Sequence, residues 1–399
     1  MNERVATLSP SPRIVPARAQ AMVFVRDRDS EGVIRQSLSD LGIANVEFLS
    51  GGIEGAVATL GQRGSPRLLV TDITGISDPF PQINALAEVC EPGVGVVLIG
   101  DSNDIRLYRN LKQGGIVEYF FKPLVGNLLT RTFQSVLTGA AGEQSSRTGK
   151  LVFVLGMRGG DGATTIATNT AWHLADRGQR RVLLLDLDLQ FGDAALQFDA
   201  APSHALREAL DHPERVDELF LQRGVTHITE RLGLMAAQES LAENVTVNDE
   251  AVLTLIGNLL HRYRYVFVDV PCTLAPSLMP VLALPSIMLL VSTASLAAAR
   301  DVARWRQQIG PNTPERTTLH ILNKNGAHAS LPLPEFIRAV GQPPDVIIPY
   351  SREIGMSSNF GVAAVRKCAS LQRGLTPLYR HLTGEAVQAP KSLLKRILG

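Results

Sequence analysis

Cysteine is scarce in this chain and poorly spaced for chemistry. The three present in 399 residues, Cys90, Cys272 and Cys368, are far apart and form no CxxC pair. That spacing argues against a zinc site, a cysteine-held cluster or a disulfide framework and fits a reducing, cytoplasmic compartment. An excess of either charge is also missing: 39 basic against 38 acidic residues leave a formal net charge of +1. No global field then recruits nucleic acid or an anionic membrane, and no specific nucleic-acid binding is expected. Residues 1–20, MNERVATLSPSPRIVPARAQ, contain no apolar h-region and read as a disordered leader. An unbroken hydrophobic span is lacking as well. The uncharged stretch 270–299 is interrupted by Pro271, Pro276, Pro280 and Pro285, and 286–293 reads as a buried strand.

What is present is ordinary globular composition, 45% hydrophobic and 19% charged, on a length that allows two or three domains. From Met22 to Leu137, short apolar runs alternate with helical periodicity: MVFV, VEFL, RLLVTDI, GVVLIGD and EYFFKP each open a unit. Five such units predict an α/β fold, a parallel sheet with helices on both faces. Residues 138–149, TGAAGEQSSRTG, read as a linker. The alternation then resumes with strands at LVFVLG, RVLLLDLD, LGLMAA, YVFVDV, SIMLLVS, TLHILNK and DVIIPY, a second and larger α/β sheet. The expected domains are a leader at 1–20, an α/β domain at 21–138, a linker at 139–149, a second α/β domain at 150–387 and a tail at 388–399. On a helix, Leu393, Leu394, Ile397 and Leu398 of the tail share a stripe that Lys391, Lys395 and Arg396 flank. Such a stripe suits weak membrane contact by residues 391–399 or docking on the parent domain.

The chemistry concentrates at KLVFVLGMRGGDGATT, residues 150–165, where an apolar strand runs through a glycine-rich turn into a helix. Gly159, Gly160 and Gly162 let backbone N–H groups point at an anion, and the helix adds its positive dipole end. Thr164 stands where a P-loop hydroxyl holds Mg²⁺, but the lysine that GxxxxGK[ST] requires before it is replaced by Ala163. Strand-end acids in LLLDLDLQFGD and YVFVDVP belong to the same rim of the sheet, where open α/β folds bind ligands.

Most of residues 150–382 resemble the MinD/ParA group of deviant P-loop ATPases. The family's KGGxGK[ST][ST] loop corresponds to Arg158, Gly159, Gly160, Asp161, Gly162, Ala163, Thr164 and Thr165. The resemblance implies ATP and Mg²⁺ as ligands, with Asp186 and Asp269 beside Thr164 at the metal and Asp188 positioning attacking water. It also implies that Asn323 of ILNKN reads adenine and that IPYSREIGMSSNFG closes over the base. Arg158 stands at the family's signature lysine, which reaches the partner's phosphates in nucleotide-sandwich dimers, so it is expected to act in trans across a homodimer. Losing the P-loop ammonium removes a charge-assisted contact typically worth about 1.5–3 kcal/mol, roughly ten- to a hundredfold in affinity. Weak hydrolysis or none is expected.

The first half resembles a response-regulator receiver domain, which implies a flavodoxin-like five-stranded parallel sheet. Asp72 in LLVTDI stands at the phosphoacceptor position and Lys122 in FFKP at the conserved lysine. Only Asp27 of the acid pair is kept, Arg26 replacing the other acid, and Gly100 replaces the usual hydroxyl. A pseudo-receiver used for docking is therefore expected.

A receiver-like domain fused to a MinD/ParA-like domain with Ala163 in place of the P-loop lysine resembles the TadZ/CpaE family of tight-adherence (Flp) pilus assembly proteins. That resemblance implies a dimeric localisation factor, cytoplasmic, peripheral to the inner membrane and polar. Its partners would be the pilus secretion ATPase and inner-membrane platform proteins. The alternatives are a ParA-like DNA or cargo partition ATPase, and a response-regulator output ATPase controlled through Asp72.

Overall fold

The computed structural model describes residues 19–139, 148–354 and 368–383. The expected leader up to residue 18, most of the linker, the later part of the IPYSREIGMSSNFG segment and the tail at 388–399 lie outside the described residues. The chain divides into two compact units, one of Met1–Ala56, Gly64–Ser77 and Val94–Ser145, the other of Val57–Arg63, Asp78–Gly93 and Ser146–Gly399.

The first sheet is built from β1 (Ala21–Val25), β2 (Val46–Ser50), β3 (Leu68–Asp72), β4 (Gly95–Gly100) and β5 (Glu118–Phe121). Between and after them come α1 (Arg28–Asp40), α2 (Gly52–Gln62), α3 (Phe80–Val89), α4 (Ile105–Gln113) and α5 (Gly126–Thr138). The strands are all parallel in the order β2-β1-β3-β4-β5, the flavodoxin-like arrangement. Alternation decides the core: Ala21, Val23 and Val25 of β1 face Ile34 and Leu38 of α1 and Leu129 and Phe133 of α5, while Met22 and Phe24 are buried on the other face. Helix α3 has no counterpart among the expected helices. Its ten residues, FPQINALAEV, have only Ile83 and Leu86 fully buried, too few to print a clear 3.6-residue pattern.

The second unit carries β6 (Lys150–Gly156), α6 (Ala163–Asp176), β7 (Val182–Asp186), α7 (Ala194–Gln197), α8 (Ala205–Asp211), α9 (Glu218–Gly224), β8 (Thr226–His227) and β9 (Leu232–Met235). It continues with α10 (Asp249–Leu260), β10 (Tyr265–Val270), α11 (Met279–Leu282), β11 (Ser286–Ser292), α12 (Leu296–Ile309), β12 (Arg316–Asn325), α13 (Leu333–Val340), β13 (Val346–Pro349) and a last described helix, Ala369–Thr383. The eight strands run in the order β13-β12-β11-β6-β10-β7-β9-β8. All pair in parallel except the two-residue β8, antiparallel to β9. Such a short edge strand carries no sequence signal of its own.

The two faces of this sheet bury different residues of the same strands. Leu151, Phe153 and Leu155 of β6 join Val252 and Leu255 of α10 and Val302 of α12 in one core. Val152 and Val154 join Ile166 and Ala171 of α6 and Leu371, Leu375 and Leu378 of the last helix in the other. The proline-broken stretch 270–299 resolves into short helical turns and β11, whose seven residues are largely buried. Among the described residues, no helix is long and apolar enough to cross a membrane.

Candidate functional site

Strand β6 lies between β11 and β10, so the turn that follows it opens at the middle of the sheet's rim. Over this turn is a cavity of about 970 Å³, lined by Gly159, Gly162, Thr164, Asp186, Asp269 and Lys324 among others. That size suits a nucleotide-scale ligand. The turn holds its shape through glycine: Gly160 and Gly162 have φ of 85° and 90°, the left-handed region that a side chain disfavours. At Gly162 space is lacking as well, since a Cβ there would stand 2.4 Å from Asn323 Nδ2.

Asp161 turns away from the anion-binding face. Its carboxylate, 4% exposed, accepts from Thr293 Oγ1 at 2.8 Å and from the Arg158 amide at 2.9 Å. Burial raises its pKa, and those hydrogen bonds partly offset the rise. The acid in the loop is thus a strut to the end of β11 instead of a charge facing the phosphates. Asn323 is committed in a similar way: its Nδ2 donates to the Asp161 carbonyl at 2.8 Å and its Oδ1 accepts from the Lys324 amide at 2.9 Å. The structure therefore places the expected base-reading amide on the loop itself. Beside it Lys324 Nζ donates to Gly160 O at 2.6 Å.

Across the cavity, Asp186 and Asp269 are register partners on neighbouring strands β7 and β10, so their side chains share one face. Asp186 accepts from the backbone N–H groups of Asp188 and Ala194 at 3.1 and 3.2 Å, and Asp269 accepts from the Thr164 hydroxyl. Burial first, and mutual repulsion with neighbouring acids second for Asp269, push both carboxyls well above the usual carboxylate range. Asp188 Oδ1 caps the next turn by accepting from the Phe191 amide at 2.9 Å. Among the described residues no group of three or more His, Cys, Asp or Glu side chains is arranged to hold a metal. Two buried acids with the Thr164 hydroxyl beside one of them do match Mg²⁺, which takes few protein ligands and completes its shell with water and phosphate.

Arg158 points along the rim to Asp301 of α12, its guanidinium 2.8 Å from that carboxylate. Ala163, the residue in the lysine position, is the first of α6 and packs partly against the core beneath it.

In the first sheet Asp72 is fully buried and Lys122 Nζ bridges it to Asp27, at 2.7 and 2.6 Å. Burial alone would raise the Asp27 carboxyl, but hydrogen bonds from Lys122 and Ser30 outweigh it and hold the pKa down. Burial likewise lowers the Lys122 ammonium, and the two carboxylates reverse this to a net rise. The three expected residues are together, one ammonium serving two carboxylates. Arg26 turns away and binds Glu54 at 2.6 Å and the Thr74 carbonyl at 3.0 Å. Where the hydroxyl would stand, Tyr119 fills the space: a Cβ on Gly100 would meet its Oη at 2.7 Å, and that Oη donates to Ser102 O at 2.8 Å.

Sequence reasoning missed Thr293, Asp301, Lys324, Glu54 and Tyr119. Lys324 lies inside the quoted ILNKN, but strand alternation directs it away from its neighbour Asn323, and only the folded backbone cancels that.

Residues 149–310 match the model of a family described as AAA domain. No curated protein matches the chain. Among solved structures, a ParA family ATPase from Chlorobium tepidum TLS superposes with a TM-score of 0.52 at 23% identity, covering 58% of this chain and 99% of that one. The septum site-determining protein MinD complexed with Mg-ADP from Pyrococcus horikoshii OT3 gives 0.47 at 18% identity, over 58% and 95%. A pilus assembly protein CpaE from Caulobacter crescentus CB15 gives 0.27 at 28% identity, over 29% of this chain and 91% of that one. The family match places an AAA domain at 149–310, and the superposition on the ParA family ATPase shows that this part of the chain shares that fold.

Proposed function

We propose that the protein is an ATP-binding localisation and assembly factor for the Flp (Tad) pilus secretion machinery, working as a nucleotide-dependent homodimer with little or no hydrolysis. The observation that carries the nucleotide reading is the cradle of Gly159, Gly160 and Gly162 facing the buried pair Asp186 and Asp269, with the Thr164 hydroxyl on Asp269. Loop amides bind phosphate, and the α6 dipole adds positive potential at Ala163 and Thr164. Two raised carboxyls shed protons readily to a divalent cation, because the cation removes the repulsion that raised them. Bound Mg²⁺ would neutralise phosphate charge there, held by Thr164, Asp186 and Asp269.

The pilus reading rests on sequence resemblance, namely a receiver-like domain ahead of a ParA/MinD-like domain whose loop carries Ala163. Its physical logic is a contact surface whose assembly nucleotide biases through mass action. Asp188 positions water if turnover occurs, and Arg158 serves the partner's phosphates after leaving Asp301. The receiver-like half acts as a docking surface.

Calorimetry with ATP and Mg²⁺ on the purified full chain, with oligomer state followed by sedimentation, tests the nucleotide reading; no binding at millimolar ATP would end it. The pilus reading is tested by co-purification with the pilus secretion ATPase and by imaging a fluorescent fusion. A fusion spread evenly through cells that assemble pili normally without the protein would refute it.

A further inference from the structure

The end of β12 breaks the strand rule. Consecutive residues of a strand point to opposite faces, yet Asn323 and Lys324 both reach the glycine loop, at the carbonyls of Asp161 and Gly160. Two backbone features allow it. The register against β13 shifts between Leu322 and Asn325, an irregularity of the kind that re-aims side chains. Lys324 itself has φ of 53°, a left-handed conformation that a residue with a side chain disfavours. A lysine held in that conformation at the rim of a cavity calls for a use.

Its surroundings say which. The ammonium is 2.6 Å from a neutral acceptor, Gly160 O. Among the described residues no carboxylate is in ion-pair contact with it, because Asp161, the nearest loop acid, is turned to Thr293. Arg158, another cation lining the cavity, is already matched by Asp301. The Lys324 stem also lies where a P-loop lysine would start: its Cε is 3.9 Å from a Cβ built on Gly162, the residue before Ala163. An ammonium in no ion pair among the described residues, with only the longer-range charge of Asp161 near it and a neutral loop carbonyl as its hydrogen-bond acceptor, is placed to take up a phosphate oxygen.

We propose that Lys324 supplies from β12 the cation that Ala163 no longer supplies from the loop, exchanging Gly160 O for a phosphate oxygen when a di- or triphosphate enters. This rests on the nucleotide reading and adds the residue that makes a lysine-free loop competent to bind. It also separates binding from turnover, since a cation arriving from the base-side strand neutralises ground-state charge without occupying the place from which a loop lysine follows the transferring phosphoryl group.

The test uses full-length Lys324→Met and Lys324→Arg variants beside the natural protein, with ATP, inorganic triphosphate and adenosine as probes and thermal melting as the folding control. Lys324→Met is expected to lose about ten- to a hundredfold in affinity for ATP and for triphosphate, the range of one charge-assisted hydrogen bond. Adenosine binding stays unchanged, and Lys324→Arg keeps ATP affinity within a few-fold. Equal losses for adenosine and ATP would make Lys324 a mere stay for the loop and overturn the assignment, as would unchanged ATP affinity in Lys324→Met. Failure of the natural protein to bind either ATP or triphosphate would overturn the nucleotide reading along with it, an outcome visible before any variant is made.

Discussion

The Arg158 guanidinium is 2.8 Å from the Asp301 carboxylate, within one chain. Asp301 also holds Arg300, and that hydrogen bond first, then the charges of Arg300 and Arg158, keeps its pKa low. An arginine expected to serve a partner's phosphates is thus matched at home. Asp301→Asn frees it. Half-exposed ion pairs are worth about 1 kcal/mol or less, so ATP-dependent self-association should tighten by up to about fivefold with melting temperature nearly unchanged. Sedimentation velocity with and without nucleotide reads this, and a weaker dimer in Asp301→Asn would show that the latch is part of the assembled state.

Ala163→Lys restores the ammonium on a residue that already lines the cavity. Because Lys324 already supplies a cation for binding, ATP affinity should rise by less than the roughly tenfold of one full charge-assisted contact, while phosphate release should become measurable. Calorimetry and a phosphate-release assay check both; ordinary turnover in the natural protein would refute the claim that the missing lysine limits hydrolysis.

Asp186 and Asp269 give metal binding a pH dependence with a definite sign. Burial and neighbouring acids raise Asp186 to about 6 and Asp269 to about 8, so at neutral pH it is chiefly Asp269 that keeps a proton an ordinary carboxylate has lost. Mg²⁺ needs them ionised. Binding of Mg-ATP should therefore release protons near pH 7 and tighten as pH rises. Calorimetry in two buffers of different ionisation heat measures the release, which Asp269→Asn should abolish. Proton uptake would contradict the assignment.

His320 is fully buried on β12 and makes a 2.8 Å contact with Ser292 Oγ. Burial, helped by Arg306, lowers its pKa from 6.5 to about 4. The unfolded chain then takes up the proton first, so stability is full above pH 6.5 and falls as pH drops toward 4, by up to about 3 kcal/mol. Urea unfolding from pH 7 to 5 should show that slope, and His320→Leu should flatten it. An unchanged slope would assign it to other groups.

Asp72 should resist phosphorylation. Lys122 bridges it to Asp27, and Tyr119 fills the space over Gly100, leaving neither an open metal seat nor a free hydroxyl to sense a phosphate. Acetyl phosphate with Mg²⁺ should leave the intact mass unchanged, whereas a stoichiometric gain of one phosphoryl group that Asp72→Asn removes would make this half a working switch.

Much of this was legible before folding. Hydrophobic alternation announced both parallel sheets because strands covered on two faces are nearly continuous apolar runs. The short helix α3 and the two-residue β8 escaped, each too brief for periodicity to register. At the site, Gly159 to Thr165, Asp186 and Asp269 could be read because loop amides and strand-end acids act where the chain leaves the sheet. Roles that depend on aim could not. The Asp161 acid turned inward to Thr293, and the Asn323 amide was taken by the loop.

By itself, then, the sequence determined the strand order of events along the chain, the glycine turn and the absence of its lysine, since these are local patterns of size, polarity and backbone freedom. Only the tertiary structure decided which charges meet. Arg158 reaches Asp301 across 143 residues and Lys324 reaches Gly160 across 164, through a register shift and a left-handed lysine that no periodic rule contains. A charge acts over a few ångströms, and only packing sets those distances.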